Sequence, residues 1–379
     1  MALSQTKVPE RIRRVTNDLQ KYGVDALLLK NMEESERQKV SIRYLTGFSG
    51  SSSLALLIPK LPKGRTFLTD GRYELQSEEE VREDLWDIVI QKDQRVLREA
   101  YRNMRDFGVQ RLGLLGDEVS WDFVASELPK NLPGVEIIRL PNIILENRRT
   151  KDEEEIKFIV KSLRIIEDAI RALIPKIRPG VSETELEGFL NQEILKRGGT
   201  PWPEGAIVAS GYRSAIIHGQ ASSKLLERGD ILQLDVGCTY KGYYSDISRV
   251  VIVGRATEKQ KEMHAAIVYA IDETARLYIP GANCHVVRNA ARDALMRAGF
   301  PDFAHGLGHG IGLAMHEPPR TSLAVTPDQT LQAGDVLTNE PGIYEEGFGG
   351  MRIEETIHIT KHGPIVLNNL PRDLIEINV

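Results

Sequence analysis

Two β-like segments carry acidic residues at matching positions, and these acids are the groups best suited to chemistry. Each segment begins with Gly-Asp, continues through apolar residues to a second acid, and then reaches a glycine; the two copies span residues 229–237 and 334–342. The second acid is Asp235 in the first copy and Glu340 in the second. The repetition predicts an internal duplication in which each copy contributes a carboxylate to one site.

Each copy is followed by a turn and a further β-like run that holds another acid, Asp246 in the first case and Glu354 in the second. We expect each pair of acids to lie in strand interiors and to face each other across a hairpin, because cross-strand neighbours are about 5 Å apart. An ionised carboxylate away from water is unfavourable unless it is paired or bound to a cation. Four such groups also raise one another's pKa. The four carboxylates therefore predict a site for divalent metal.

A histidine between the two copies adds a nitrogen ligand. It is His309, in the glycine-rich segment 305–312. Five ligands, four of them acids, suit two ions better than one, because carboxylates can bridge. An oxygen-rich set with one imidazole favours manganese, cobalt, iron or zinc, and the two cysteines lack the CxxC spacing of a thiolate site. Two ions about 3.5–4 Å apart deprotonate a water and polarise a carbonyl, which predicts amide hydrolysis.

The composition is that of an ordinary globular protein. The length of 379 residues fits about two or three domains, and 41% hydrophobic residues supply sizeable cores. A net charge of −5 gives no reason to expect a nucleic acid or an anionic membrane as a partner. The apolar runs are far shorter than the ~20 residues of a membrane helix, and the first residues lack the apolar core of a signal peptide. We therefore expect a cytoplasmic protein.

Two domains are predicted from the order of the elements. Strands and helices alternate over residues 1–145, which indicates a smaller α/β layered domain. Within it, residues 43–50 are predicted to be a turn-rich link between elements. Residues 146–379 have a helix pair before each acidic hairpin. This second domain is therefore predicted to be an internally duplicated α+β domain.

Two helices at the start of the second domain carry N-terminal signals. A capping box joins a Ser, Thr or Asp to a Glu three residues later. Thr150 and Glu153 are predicted to form one such box, and Ser182 and Glu185 the next.

The acids and the histidine resemble, in type and order, the ligands of the dinuclear metallopeptidases with the creatinase, or pita-bread, fold. Within that family the chain is similar to prolidases and aminopeptidases P, and residues 44–50 and 69–73 are similar to their N-terminal domain. The resemblance implies a C-terminal pita-bread domain with a pseudo-two-fold repeat, preceded by a smaller creatinase-type domain. The matching catalytic pieces are residues 234–237, 245–246, 308–312, 339–342 and 352–355.

The resemblance also implies roles for the five ligands. Asp235 would chelate one ion, His309 and Glu340 would bind the other, and Asp246 and Glu354 would bridge both. Glu340 would in addition act on the nucleophilic water and move its proton towards the leaving nitrogen. The implied cofactors are two divalent ions, manganese or cobalt first, with zinc or iron as alternatives.

Four further residues correspond to substrate and support groups of the family. His218 resembles the histidine that contacts the substrate near the scissile bond. His305 and His316 resemble the pair that bind substrate and stabilise the developing oxyanion. Arg352 resembles the basic residue that holds a metal carboxylate. The residues alone leave alternatives open, because His218 also fits a solvated loop and His305 also fits a buttress of the glycine-rich segment.

Two residues beside the motifs have simpler expectations. Glu355 alternates with Glu354 along a strand, so its side chain is predicted to face away, solvated or salt-bridged. Trp202, between two prolines, is expected either to line a proline-sized pocket or to pack within a loop.

The predicted activity is metal-dependent hydrolysis of the bond between an N-terminal residue and proline (Xaa-Pro), through a hydroxide activated by two metals. The motifs do not separate a prolidase, which needs a basic group or a cap for the proline carboxylate, from an aminopeptidase P, which needs that side open. The alternatives are a creatinase-like carbon–nitrogen hydrolase and a non-catalytic binding protein on the same fold, and retention of all five ligands argues against both. The N-terminal domain is expected to make homodimer contacts and to close the substrate cleft.

Overall fold

The computed structural model describes most of the chain, namely residues 6–32, 36–61, 64–92, 95–322 and 324–378. The chain divides into two compact units, Met1–Arg148 and Arg149–Val379. None of the helices in the described ranges combines the length and the apolar content that a membrane span requires.

The first unit is built on a mixed β-sheet with helices. Its strands are β1 (Ala26–Met32), β2 (Ser52–Leu57), β3 (Arg65–Asp70), β4 (Asp87–Gln91), β5 (Arg111–Leu115) and β6 (Glu136–Leu140). Its helices are α1 (Val8–Lys21), α2 (Glu36–Thr46), α3 (Glu74–Glu80), α4 (Val96–Asp106), α5 (Leu128–Asn131) and α6 (Ile143–Arg149). The strand order is β4–β3–β2–β1–β5–β6. Antiparallel pairs join β1 to β2 and β2 to β3, and the remaining pairs are parallel.

The prediction of a turn-rich link over residues 43–50 is wrong in its first half. Helix α2 continues to Thr46, and Gly47 follows with a φ of 84°, the left-handed conformation in which glycine commonly ends helices. Tyr44 and Leu45, neighbours on the helix, are both fully buried. Because this last turn is apolar on more than one side, it lacks the amphipathic spacing by which a helix is recognised in a sequence.

The second unit contains two larger sheets and two short ribbons. Its helices are α7 (Glu153–Leu173), α8 (Glu183–Lys196), α9 (Glu258–Ala275) and α10 (Cys284–Arg297). Its strands are β7 (Thr200–Pro201), β8 (Ile207–Ser210), β9 (Ile231–Val236), β10 (Cys238–Tyr240), β11 (Tyr243–Tyr244), β12 (Ile247–Val253), β13 (Gly308–Gly310), β14 (Glu317–Thr321), β15 (Val336–Asn339), β16 (Gly342–Glu345), β17 (Gly349–Arg352), β18 (Glu355–Thr360), β19 (Gly363–Val366) and β20 (Ile375–Ile377). The larger sheets run β20–β12–β9–β8 and β14–β13–β15–β18–β19.

The duplication seen in the sequence is present in the second unit. Gly229 and Gly334 both have left-handed φ angles, of 95° and 97°. In each copy the next aspartate accepts a hydrogen bond from the backbone N–H three residues before it, at 2.9 Å for Asp230 and 2.7 Å for Asp335. The apolar faces of α7 and α8 pack on the first sheet, whereas those of α9 and α10 pack against the second copy. Residues of β9 and β12 also belong to the core that contains α9 and α10, so the first ribbon has buried residues in both cores.

Helix α7 begins with a capping box two residues later than predicted. Asp152 is the N-cap, its Oδ1 accepts from Glu155 N at 3.0 Å, and its own N–H donates to Glu155 Oε2 at 2.9 Å. The predicted pair, Thr150 and Glu153, does not form because Thr150 is held in a β-bridge with Asp335. Both pairs have the same sequence spacing, so this contact between distant segments decides the choice. The box predicted at the start of α8 is confirmed.

Candidate metal centre

The first acidic ribbon, β9 with β12, brings Asp235 and Asp246 to one end of its sheet. Asp235 lies opposite Ser248, and Asp246 immediately precedes β12. The prediction that the two acids are directly opposed is therefore wrong; they are diagonal neighbours on one face. The register is set by a tight turn at Lys241 and Gly242, which have φ angles of 49° and 79°. Two successive left-handed residues make a two-residue hairpin turn, whereas direct opposition of Asp235 and Asp246 would require the turn centre to lie one residue earlier.

The second acidic ribbon places Glu340 opposite Glu354. Glu340 lies between β15 and β16, and Glu354 lies between β17 and β18. The β15–β18 and β16–β17 pairs share one register, so the acids occupy a gap between two ladders. The gap arises because Glu340 N donates to Leu307 O at 2.8 Å and Glu354 N donates to Ser248 O at 3.2 Å. The expectation of four acids in strand interiors is thus wrong, since these two lie at strand ends.

His309, in β13, directs an unprotonated nitrogen at the acids. Its Nδ1 lies 3.1 Å from Gly310 O, which can only accept, so we assign the ring proton to Nδ1. Its Nε2 lies 3.6 Å from both Asp246 Oδ2 and Glu340 Oε1. Burial, followed by the nearby His316, lowers the pKa of His309 to about 3. A neutral imidazole with a free nitrogen is the form that binds metal.

Asp246, His309 and Glu354 form a compact group whose candidate ligand atoms lie within 4.8 Å of one another. Burial, followed by repulsion from Glu354, raises the pKa of Asp246 well above its ordinary value. Burial, followed by repulsion from Glu340, does the same to the pKa of Glu354. Asp246 Oδ1 and Glu354 Oε1 are buried and find no hydrogen-bond partner in the described part of the chain. Buried, unsatisfied, mutually repelling oxygens fit divalent cations.

Arg352 offsets one of the four carboxylate charges. It is 2% exposed, and its Nη2 donates a hydrogen bond to Asp235 Oδ2. Its Nε lies 3.8 Å from Glu340 Oε2. The arginine therefore supports two of the predicted ligands, Asp235 and Glu340, from the side.

Tyr344 joins Arg352 to His305. Arg352 Nη1 donates to Tyr344 Oη at 2.6 Å, and Tyr344 Oη lies 2.9 Å from His305 Nε2. His305 Nδ1 lies 2.7 Å from Gly306 O, so Nδ1 carries the proton and Nε2 accepts from the tyrosine hydroxyl. Burial, followed by the charge of Arg352, lowers the pKa of His305 to about 4. Both ring nitrogens of this histidine are thus engaged within the protein.

Two hydroxyl residues that the sequence did not single out also contact the acids. Ser248 Oγ lies 3.2 Å from Glu354 Oε2, and Thr338 Oγ1 donates to Glu340 Oε1 at 3.2 Å. Ser248 follows Asp246 by two residues, and Thr338 precedes Glu340 by two. Because side chains two apart on a strand share a face, this spacing was the signal that could have found them. Tyr344 had no comparable signal.

A cavity of about 490 Å³ opens above these acids. Besides the candidate ligands and Arg352, the charged and aromatic residues that line it are Trp202, Glu204, His218, His305, His316 and Arg320. The ring of His316 packs edge-on against that of His309, with centroids 4.2 Å apart. His218 is exposed on the loop between β8 and β9. The structure thus brings all the predicted substrate histidines to one cavity, and it agrees with a pocket position for Trp202.

Arg320, in β14, was not singled out from the sequence. Its side chain is exposed to the cavity and makes no hydrogen bond or ion pair with any residue in the described ranges. A guanidinium of this kind is suited to a bidentate bond with a carboxylate. It is therefore a candidate for recognising an anionic substrate group.

Glu355, the acid beside Glu354, has a partner of its own. It is buried, and its Oε1 lies 3.3 Å from Arg372 Nε. The predicted salt bridge is confirmed, and solvation of this side chain is not found. Glu355 is consequently separate from the acidic group that lines the cavity.

Comparison with known proteins identifies the family. The chain matches the model of Metallopeptidase family M24 over residues 157–361 and that of the Creatinase/Prolidase N-terminal domain over residues 11–150. It is 33% identical to a Xaa-Pro dipeptidase of Pyrococcus horikoshii over 369 residues, which cover 97% of this chain and 99% of that protein. A Xaa-Pro dipeptidase structure from Bacillus anthracis matches with a TM-score of 0.89 and 32% identity, over 98% of this chain and 100% of that one. An X-Pro aminopeptidase structure from Thermotoga maritima matches with a TM-score of 0.86 and 32% identity, over 96% and 100% of the two chains.

These matches bear out the predicted family and fold, a pita-bread catalytic domain behind a creatinase-type domain. Members of the matched family are metal-dependent peptidases, which accords with the buried acidic group described above. The protein is an enzyme, and its chain belongs to metallopeptidase family M24, with a Creatinase/Prolidase N-terminal domain ahead of the catalytic domain.

Proposed function

We propose that this enzyme hydrolyses the peptide bond between an N-terminal residue and proline, using two divalent metal ions. The observation that carries the proposal is the pair of buried, unpartnered oxygens, Asp246 Oδ1 and Glu354 Oε1, among acids and one neutral imidazole. Similarity to a Xaa-Pro dipeptidase over nearly the whole of both chains supports the choice of substrate.

The five proposed ligands are Asp235, Asp246, His309, Glu340 and Glu354. Asp246 and Glu354 would be shared between the two ions, Asp235 would hold one, and His309 with Glu340 would hold the other. The ions would lower the pKa of a water and polarise the scissile carbonyl. Manganese or cobalt is the proposed metal, because carboxylate oxygens with a single imidazole suit these ions.

Glu340 is proposed to move the proton from the nucleophilic water to the proline nitrogen. Its side chain is 16% exposed, against 7% for Asp246, so it reaches the cavity more openly. The hydrogen bond from Thr338 Oγ1 fixes its Oε1. A carboxylate held in this way at the cavity floor is suited to general acid–base work.

Two of the cavity histidines are proposed to bind the substrate. His218 and His316 have rings that line the cavity, and we assign them to the atoms around the scissile bond and to the developing oxyanion. His305 lines the same cavity with both nitrogens engaged, so we assign it to the wall and to holding Tyr344 in place. Arg352 supports Asp235 throughout.

Arg320 favours a dipeptide over a longer substrate. A free Xaa-Pro dipeptide presents a carboxylate one residue beyond the scissile bond, and a longer peptide does not. The exposed guanidinium of Arg320 supplies the basic group in the cavity that recognition of this carboxylate requires. We therefore propose Xaa-Pro dipeptidase as the principal activity.

We also propose that the enzyme is a homodimer, as the family resemblance of the sequence implies. Light scattering that shows only a monomer would contradict the dimer.

Hydrolysis of Ala-Pro and Ala-Pro-Ala tests the proposal. The purified enzyme should be assayed with each peptide after removal of metal and again after addition of manganese. Manganese-dependent cleavage of Ala-Pro, much faster than cleavage of Ala-Pro-Ala, is expected. Equal cleavage of both peptides would replace the dipeptidase with an aminopeptidase, and cleavage of neither would contradict the proposed function.

A further inference from the structure

A buried carboxylate closes the base of the loop that carries His218. Glu183, at the start of α8, is fully buried. Its Oε1 accepts from the N–H and Oγ of Ser210, at 2.6 and 2.8 Å, where β8 ends. Its Oε2 accepts from the N–H and Oγ of Ser222, at 3.0 and 2.6 Å, where the loop returns. One side chain therefore holds both ends of the segment 210–222 together.

Arg213 extends this connection into the loop. Its Nε donates to Glu183 Oε2 at 3.1 Å, and its Nη2 donates to Gln220 O at 2.7 Å. Gln220 Nε2 in turn donates to Glu204 O at 2.7 Å. Gln220, Glu204 and His218 all line the cavity. The arginine thus ties a cavity-lining stretch of backbone to the buried carboxylate.

The tip of the loop is fixed from the other side. His218 lies in a tight turn closed by Gly219 N donating to Ile216 O at 2.9 Å. Arg352 Nη2 donates to Ile217 O at 3.3 Å, directly before the histidine. His218 is therefore exposed at its side chain and anchored in its backbone at two places, the Glu183–Arg213 pair and Arg352.

A role for Glu183 in stability alone does not explain why both of its oxygens are directed at the loop that carries His218. An acid in the first turn of a helix stabilises the helix dipole when it is exposed, but Glu183 is buried and directs both oxygens at the loop. Burial of an ion pair is not in itself a strong contribution to stability. We propose that Glu183 and Arg213 are positioning residues that hold His218 in the orientation needed to contact the substrate. This inference rests on the proposed role of His218.

A double-mutant cycle distinguishes positioning from stability. The ratio kcat/KM for Ala-Pro should be measured for the wild type, Arg213→Gln, His218→Ala and the double variant, each as the full chain with manganese. Misplacement of a substrate-contacting group by about 1 Å lowers rates by up to ~100-fold, so we expect Arg213→Gln to lower kcat/KM about tenfold. In the His218→Ala background the same change should lower it by less than about twofold, because the residue through which it acts is gone.

A second substitution and a control accompany the cycle. Arg213→Lys keeps a cation near Glu183, but a single ammonium cannot span Glu183 and Gln220 O. It should therefore lower kcat/KM in the wild type and not in the His218→Ala background. Because it keeps the charge, it provides the test even if Arg213→Gln folds poorly. Glu193→Gln is the control for loss of an ion pair elsewhere on α8, because Glu193 is a buried acid on the same helix as Glu183 with its own partners, Lys196 and Arg197. Glu193→Gln should leave kcat/KM unchanged both in the wild type and in the His218→Ala background.

Each outcome is decisive. Equal losses with and without His218, or no loss in the wild type, would overturn the positioning role. If His218→Ala by itself leaves kcat/KM unchanged, the substrate role of His218 fails and the inference fails with it, whereas Xaa-Pro hydrolysis by the wild type still stands. Absence of Ala-Pro hydrolysis in the wild type would instead reject the proposed function.

Discussion

Asp246 and Glu354 come from different ribbons, yet each holds one buried oxygen that has no hydrogen-bond partner among the described residues. Burial and like charge raise the pKa of both carboxyls. Arg352 hydrogen-bonds to Asp235 and lies near Glu340, and the buried Arg249 contacts Glu354 only at its backbone oxygen, at 2.7 Å. The fold therefore brings together acceptors whose charge is not balanced by the side chains around them, and a bound cation accounts for this arrangement.

Glu354→Gln should lower the content of bound divalent metal. The amide keeps the shape of the side chain but removes the charge that a cation requires. We therefore expect the affinity for manganese to fall at least about tenfold, so that the dialysed variant retains less manganese. Elemental analysis of the dialysed protein measures this. Glu355→Gln is the control, since Glu355 is also buried but pairs with Arg372. Equal metal content in the two variants would contradict the assignment of Glu354.

Glu340→Gln should abolish most turnover while the protein stays folded. Loss of a positioned proton-transfer group lowers rates by about 10²–10⁴-fold, and loss of a ligand charge adds to that effect. The kcat for Ala-Pro at saturating manganese measures it. Glu345→Gln, at the exposed end of β16, should leave kcat unchanged. A Glu340→Gln enzyme that kept most of its kcat would show that another group transfers the proton.

The metal-free protein should lose stability as pH rises from 7 to 9. Burial raises the pKa of Glu340 to about 8, and the pKa values of Asp246 and Glu354 are also raised. The folded state then binds protons that the unfolded state has released, so stability is full below the unfolded pKa and is lost as pH rises through about 8. The buried histidines have lowered pKa values, and because most of their unfolded-state titration lies below pH 7, they oppose this trend only weakly.

Thermal unfolding in the presence of a chelator, at pH 7 and pH 9, measures this loss. One proton contributes a slope of up to about 1.4 kcal/mol per pH unit. Added manganese should raise Tm more at pH 9 than at pH 7, because metal binding requires deprotonated ligands. A manganese-induced rise in Tm that is the same at both pH values would argue against the acidic group as the metal site.

Arg320→Gln should weaken recognition of the dipeptide carboxylate. We expect KM for Ala-Pro to rise about tenfold, since truncating a charge-assisted hydrogen bond is worth ~1.5–3 kcal/mol, with little change in kcat. Ala-Pro amide, which lacks the carboxylate, is the control substrate, and its KM should change little in the Arg320→Gln variant. Similar increases in KM for both substrates would remove the argument for a dipeptidase.

The convergence of the four acids was predictable from the sequence because their spacing is repeated and because acids beside apolar β-like segments are unfavourable without a bound cation. His309 has no counterpart in the repeat, and the family resemblance assigned it to the same site. The relation between Asp235 and Asp246 was not predictable, since it depends on a two-residue turn formed by Lys241 and Gly242. This pair is less characteristic of that turn than Asn-Gly. A shift of one residue in a turn centre changes the pairing of every residue in the ribbon.

Contacts between distant segments account for the remaining differences. Thr150 had the spacing of a capping residue, but its β-bridge to Asp335 moved the cap to Asp152. Glu183 lies between the predicted capping residues Ser182 and Glu185, but its bonds to Ser210 and Ser222 depend on how the loop returns. Local spacing thus indicated which groups are candidates for chemistry, and the folded chain was needed to show which groups hold them.

Anomalous diffraction from crystals grown with manganese tests the central claim most directly. Two peaks, about 3.5–4 Å apart, are expected between the carboxylates of the two ribbons, with Asp246 and Glu354 contacting both and the Nε2 of His309 contacting one. A map without peaks among these side chains, at a manganese concentration that supports full activity, would contradict the account.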